Sequence, residues 1–180
     1  MNILDRVIAR YVNKRGVGFG GFGAGRINFN TCLTARKLVI DPATGLYVYT
    51  GDDRRVFGHV VTDDFVDYIV VNLVAEVAAF GDFKFHDSGT GVGAEAAGDS
   101  ALGTACGEAR DIGTQVNTGA GVYTSVATNT YAGGFAITEH GLFNIAAGGI
   151  LMDRTLFGAI NVVATNQIEF TFTITFTAGG

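Results

Sequence analysis

Proline occurs once in this 180-residue chain, at Pro42, and charged residues make up only 16% of it. That share is well below the usual quarter. With 48% hydrophobic residues it excludes a disordered chain, which would be poor in apolar residues. Low charge of this kind fits a β protein whose surface is largely covered by neighbours. The two cysteines, Cys32 and Cys106, are far apart and have no metal-ligand spacing. They read as two buried thiols, and a disulfide between them is left open. No apolar stretch is long and uninterrupted enough to span a bilayer. The opening "MNILDRVIARYVNKR" lacks the continuous apolar core and small-residue cleavage site of a secretory signal. The expectation is a soluble protein made in a cytoplasm.

Glycine is plentiful, at 27 residues, and so is two-residue alternation. In "QIEFTFTITFTAGG", Ile168, Phe170, Phe172, Ile174 and Phe176 alternate with Glu169 and four threonines. That is the pattern of a strand with one buried face. An unpaired strand of this length would stick to other chains, so it is expected to be central in its sheet, or covered.

The net charge of -5 hides a division. Residues 1–37 hold seven basic residues against Asp5 alone, and the rest hold five against sixteen acids. Residues 2–13 read as a short amphipathic helix, with Ile3, Leu4, Val7, Ile8 and Tyr11 on one face and Arg6, Arg10 and Lys14 toward the other. About three turns are marginal alone in water, so this helix needs a surface to dock on: its own domain, a neighbouring subunit, or a membrane or nucleic acid. "GVGFGGFGAG", residues 16–25, has no Gly-Lys-Ser/Thr after it and no apolar strand before it, so it is no phosphate loop. It reads as a connector whose Phe19 and Phe22 plug into pockets on another chain. The division expected is a basic, glycine-rich arm over residues 1–26 and a β-sandwich domain over 27–180.

Within the domain, 27–40 reads as a strand, "DPATG" (41–45) as a turn, "LYVYT" (46–50) as a strand, "GDDRR" as a polar turn and "VFGHVVT" as a strand. Residues 62–79 carry a four-residue period, with Thr62 or Asp63 as cap and a stop near Phe80-Gly81. A helix so apolar all round should be buried on most sides. Further strands are expected in 82–89, "CGEARDIGTQV", "VYTSVATNTYA", "GFAITEHGLFN" and "ILMDRTLFGAINVV", with a long small-residue loop over 90–105. Turn signals every 12–15 residues or so suit a sandwich or barrel. The fold class read from this is mainly β: an antiparallel, jelly-roll-like sandwich with one short buried helix and the arm.

No enzyme is legible. His86-Asp87, Glu139-His140 and Asp153 have no spacing that would gather them round a metal, and His140 reads as a structural histidine near a strand end. Ser88, Ser100 and Ser125 lack a nucleophile elbow, and Cys106 lacks a nucleophile's context. Glu95 and Asp99 lack the acidic ladder of a calcium loop. Asp153-Arg154 reads as an ion pair at a sheet edge or subunit contact. No cofactor, metal, nucleic acid or membrane is expected.

The blocks "FKFHDSGTGVGAEAAGDSALGT", "FAITEHGLFN", "GGILMDRTLF" and "IEFTFTITFTAGG", in that order across residues 80–180, resemble structural proteins of tailed bacteriophages. The resemblance implies a non-enzymatic virion protein present in many copies, a capsid decoration or cement protein, with tail, baseplate or receptor-binding fibre components as the alternative. It implies the major capsid protein or other virion proteins as partners, together with copies of the chain itself, a trimer by analogy. On the residues alone, Ile3, Leu4, Arg6, Val7, Arg10, Tyr11, Phe19 and Phe22 are the partner-binding candidates on the arm.

Overall fold

The computed structural model describes residues 27–75 and 82–178. In chain order these form β1 (Ile27–Ile40), β2 (Tyr47–Phe57), β3 (Val60–Val61), α1 (Asp63–Ala75), β4 (Phe85–Gly89), β5 (Asp111–Ile112), β6 (Thr114–Gly119), β7 (Val122–Thr130), β8 (Phe135–Phe143), β9 (Leu151–Val162) and β10 (Gln167–Ala178). They build two five-stranded antiparallel sheets, β2-β1-β10-β7-β6 and β3-β9-β8-β4-β5. Four pairs are nested in sequence: β1 with β10, β3 with β9, β4 with β8, and β6 with β7. This is the pairing of one long hairpin folded back on itself.

The two sheets share one apolar core. From the first come Leu33, Ala35, Ile168, Phe170, Phe172 and Ile174, and from the second Ile137, Leu142, Phe157 and Ile160. Strand β10 sits in the middle of its sheet, as its alternation requires. Ile168, Phe170, Phe172 and Ile174 are all 0% exposed. Phe170 lies between Ala35 of β1 and Ala127 of β7, two small side chains that leave room for its ring. Burying each phenylalanine contributes about 1.5–3 kcal/mol.

Three local expectations are corrected. First, "GDDRR" is not a turn. Strand β2 runs through it, with a bulge that sets Thr50–Asp52 opposite Lys37 and puts Gly51 at φ +83°. Arg54 holds the strand in place, donating to the carbonyls of Gly158 and Ala159 (both 2.9 Å) and to Asp52 Oδ1 (2.7 Å). The chain instead turns at Gly58 (φ +67°), and Val60–Val61 joins the other sheet. Second, "CGEARDIGTQV" is not one strand. It changes sheets at Gly113, where a Cβ would stand 2.5 Å from Ser125 Oγ and 2.7 Å from His86 Nε2. Third, among the described side chains of the helix, those toward Phe83 and Phe29 are covered and others are not. Thr62 Oγ1 caps it by accepting the Phe65 N–H (3.3 Å), and Phe65 packs edge-on against Phe83 and Phe29. Val66 and Val71, however, face outward. The expected stop at Phe80-Gly81 lies outside the described residues, as does the whole arm.

The cysteines are free and only half-buried. Cys32 neighbours Phe57 and Thr173 on the outer face of the first sheet, while Cys106 Sγ lies 3.5 Å from Ser88 Oγ.

Candidate functional site

The second sheet buries polar side chains on both of its faces. On the inner face, toward β10, stand His59, His86, Ser88, His140, Asp153 and Thr155, all buried. His59 Nδ1 is 2.7 Å from Asp153 Oδ2 and 2.8 Å from Thr155 Oγ1, and the Thr155 hydroxyl donates to Asp153 Oδ1 (2.6 Å). Burial pushes the Asp153 carboxyl up, and the bonds from His59 and Thr155 offset part of that. Alongside, His140 Nε2 lies 2.9 Å from His86 Nδ1, and His86 Nε2 lies 2.8 Å from Ser125 Oγ. Placing the N–H of His140 on Nε2 orders the relay: His140 donates to His86, which donates to Ser125. It also leaves only a bare lone pair at His140 Nδ1, which has no partner. Burial holds the His86 imidazole down to about 3, and His140 well below its ordinary value, with His86 and His59 adding to the effect.

On the outer face the long small-residue loop is pinned down. Glu139 is 0% exposed. Its Oε1 accepts the N–H groups of Gly91 (2.9 Å) and Thr104 (2.7 Å), and its Oε2 accepts Gly103 N–H (2.9 Å) and Arg154 Nε (2.8 Å). Burial raises its carboxyl, but the donors of Thr104, Arg154, Gly103 and Gly91 outweigh burial and leave it below the usual range. Arg154 also donates to Asp99 Oδ2 (2.9 Å) and to the Gly93 carbonyl (3.1 Å). Glu95 accepts the Leu156 N–H. Glycine is needed at 91 because a Cβ there would meet Glu139 Oε1 at 2.4 Å. A second anchor is Arg110, which donates to Asp87 Oδ2 (3.1 Å) and to the carbonyls of Ile145 and Gly148, with its guanidinium 3.3 Å from the Phe143 ring centre.

These positions correct the sequence reading. Asp153 and Arg154 are no edge pair: they face opposite sides of β9, 0% and 4% exposed, and each has a different partner. His140 lies inside β8 rather than near its end, and bonds to a second histidine. Among the described residues no group of histidine, cysteine and carboxylate side chains is placed to hold a metal. Ser125, His86 and His140 have the order of nucleophile, base and orienting group. All three are wholly buried, so the relay is closed to solvent.

The surface offers a different kind of site. Strand β2 is the outer strand of its sheet, and its alternation over 51–57 is exposed at Gly51, Asp53, Arg55 and Phe57. Phe57 is 65% exposed, with the Arg55 guanidinium 4.8 Å from its ring centre. Beyond the bulge, Leu46, Tyr47, Val48 and Tyr49 are exposed as well. The arm candidates Ile3, Leu4, Arg6, Val7, Arg10, Tyr11, Phe19 and Phe22 lie outside the described residues. Sequence reasoning passed over His59 and the β2 edge. The available signal for the edge was two acids, two arginines and then an aromatic in "GDDRRVF". No helix among the described residues is long and apolar enough to cross a membrane. No protein-family profile matches the chain, and neither a curated protein nor a solved structure is significantly similar to it.

Proposed function

We propose that this chain is a non-enzymatic structural subunit of a bacteriophage particle, a decoration or cement protein that binds the assembled head and stabilises it. The observation that carries the reading is the exposed start of β2 with the residue before it: Leu46, Tyr47, Val48 and Tyr49 stand in solvent on a sandwich whose polar interior is sealed. Exposed large apolar side chains grouped along a sheet edge mark a surface made for contact with protein. The setting is proposed from the sequence blocks across residues 80–180 that resemble tailed-phage structural proteins. The partners are the major capsid protein, other virion proteins and further copies of the chain. Each contact is weak, but a symmetric shell repeats it, and repeated contacts whose geometry lets them act together become strong.

Adding purified protein to undecorated heads tests the reading. Saturable binding at hundreds of copies per head, with heads that withstand heating better, supports it. Copy numbers of a few to some dozens in purified particles move the protein to the tail. No particle binding of any kind overturns the assignment.

A further inference from the structure

The pattern of charge on β2 points to a specific occupant for the side that no described strand pairs with. We infer that two copies of the chain pair antiparallel along β2, about a twofold axis at Arg54, to join their sheets into one ten-stranded sheet.

The argument is one of register. Leu33 and Ala35 face the core, and they pair with Val56 and Arg54, so Asp53, Arg55 and Phe57 point outward from the sheet. Directly opposite residues of an antiparallel pair share a face, so a twofold axis perpendicular to the sheet must lie midway between one residue and its own copy. With the axis at Arg54, Asp53 of each copy lies opposite Arg55 of the other, giving two matched ion pairs on the exposed face. Phe57 of each copy then lies opposite Gly51 of the other, where nothing stands within 4 Å of the position a side chain would take. An axis at Asp53 would oppose two aspartates, and one at Arg55 would oppose two arginines; like charges directly opposed are unfavourable. This axis also sets Arg54 opposite its own copy, but on the inner face rather than the exposed one. There its own chain's Asp52 and the Gly158 and Ala159 carbonyls already engage it. The same charges that guard the edge against indiscriminate strand addition accept a partner of inverted pattern, and the antiparallel copy supplies one.

This inference does not rest on the virion assignment, because its test needs no particle. Sedimentation equilibrium of the purified full chain should show a monomer–dimer equilibrium whose dissociation constant rises with salt. Asp53→Arg and Arg55→Asp should each weaken the dimer about tenfold or more. An equimolar mixture of the two variants should dimerise again, since each then carries the charges that match the other. Phe57→Thr, read against circular dichroism, should also weaken it. Three outcomes overturn the proposal: a monomer up to about 1 mM, a dimer indifferent to all three variants, or variants that fail to restore each other on mixing while both remain folded. The salt dependence of the native chain decides the matter should a charge variant not fold.

Discussion

Strands β9 and β10 are each twelve residues long and each lies inside its sheet, yet they are buried in different ways. In β10 one face is apolar and fully buried from Ile168 to Ile174, while the Thr171 and Thr173 face is half-covered. In β9 the run Leu151–Thr155 is buried at every residue, because the 90–110 loop lies over the outer face, where Arg154 is held by Asp99 of that loop and by Glu139 of β8. The first strand is stabilised by removing apolar area from water. The second depends on satisfying charge where water is absent, and an error there leaves an uncompensated ion.

The comparison can be broken from either side. Arg154→Met is expected to have the largest effect, about 3–5 kcal/mol lost in denaturant unfolding, because Glu139 is left buried without its cation. The variant should also become sensitive to proteolysis within residues 90–105. Phe172→Ala should cost about 3–5 kcal/mol from lost transfer and cavity, without exposing that loop. Acidification sharpens the difference next. His86 is held neutral in the fold down to about 3, while the unfolded chain takes up its proton near 6.5. Its contribution is therefore whole above pH 6.5 and declines as pH falls from 6.5 toward 3, by up to about 1.4 kcal/mol per pH unit. His86→Gln should flatten that slope in a series of unfolding curves between pH 7 and pH 5 (about the window where the unfolded histidine titrates). Gly91→Ala should cost about 1–3 kcal/mol, since the methyl group meets the Glu139 carboxylate. The smallest change is expected for Thr171→Val, on the outer face of β10, within about 0.5 kcal/mol of the native chain.

The same contrast explains what could be read from the residues alone. The alternation of β10 was legible because only one of its faces meets the core, so period and burial coincide. "LMDRTLF" in β9 carries no such period: polar Asp153 and Thr155 point inward, and charged Arg154 lies buried on the other face. Their partners, His59, Glu139 and Asp99, come from elsewhere in the chain, so no local window could join them. The helix start was legible from Thr62 and the two aspartates, but the extent of its burial depends on packing that the helix sequence does not encode. "GDDRR" looked like a turn by composition. It stays a strand because Arg54 reaches across to β9, which is again a tertiary contact.

Strand β10 comes late in sequence and yet fills the middle of its sheet. Leu33 and Ala35 of β1 emerge early during synthesis, while their neighbours Phe172 and Phe170 emerge only after nearly all the described chain has been made. A nascent chain must therefore carry a half-built layer, with its apolar side open, until that strand arrives. Long-range pairing of this kind is slow to form. A ribosome that stalls before β10 would release a species inclined to stick to its neighbours rather than a smaller working domain.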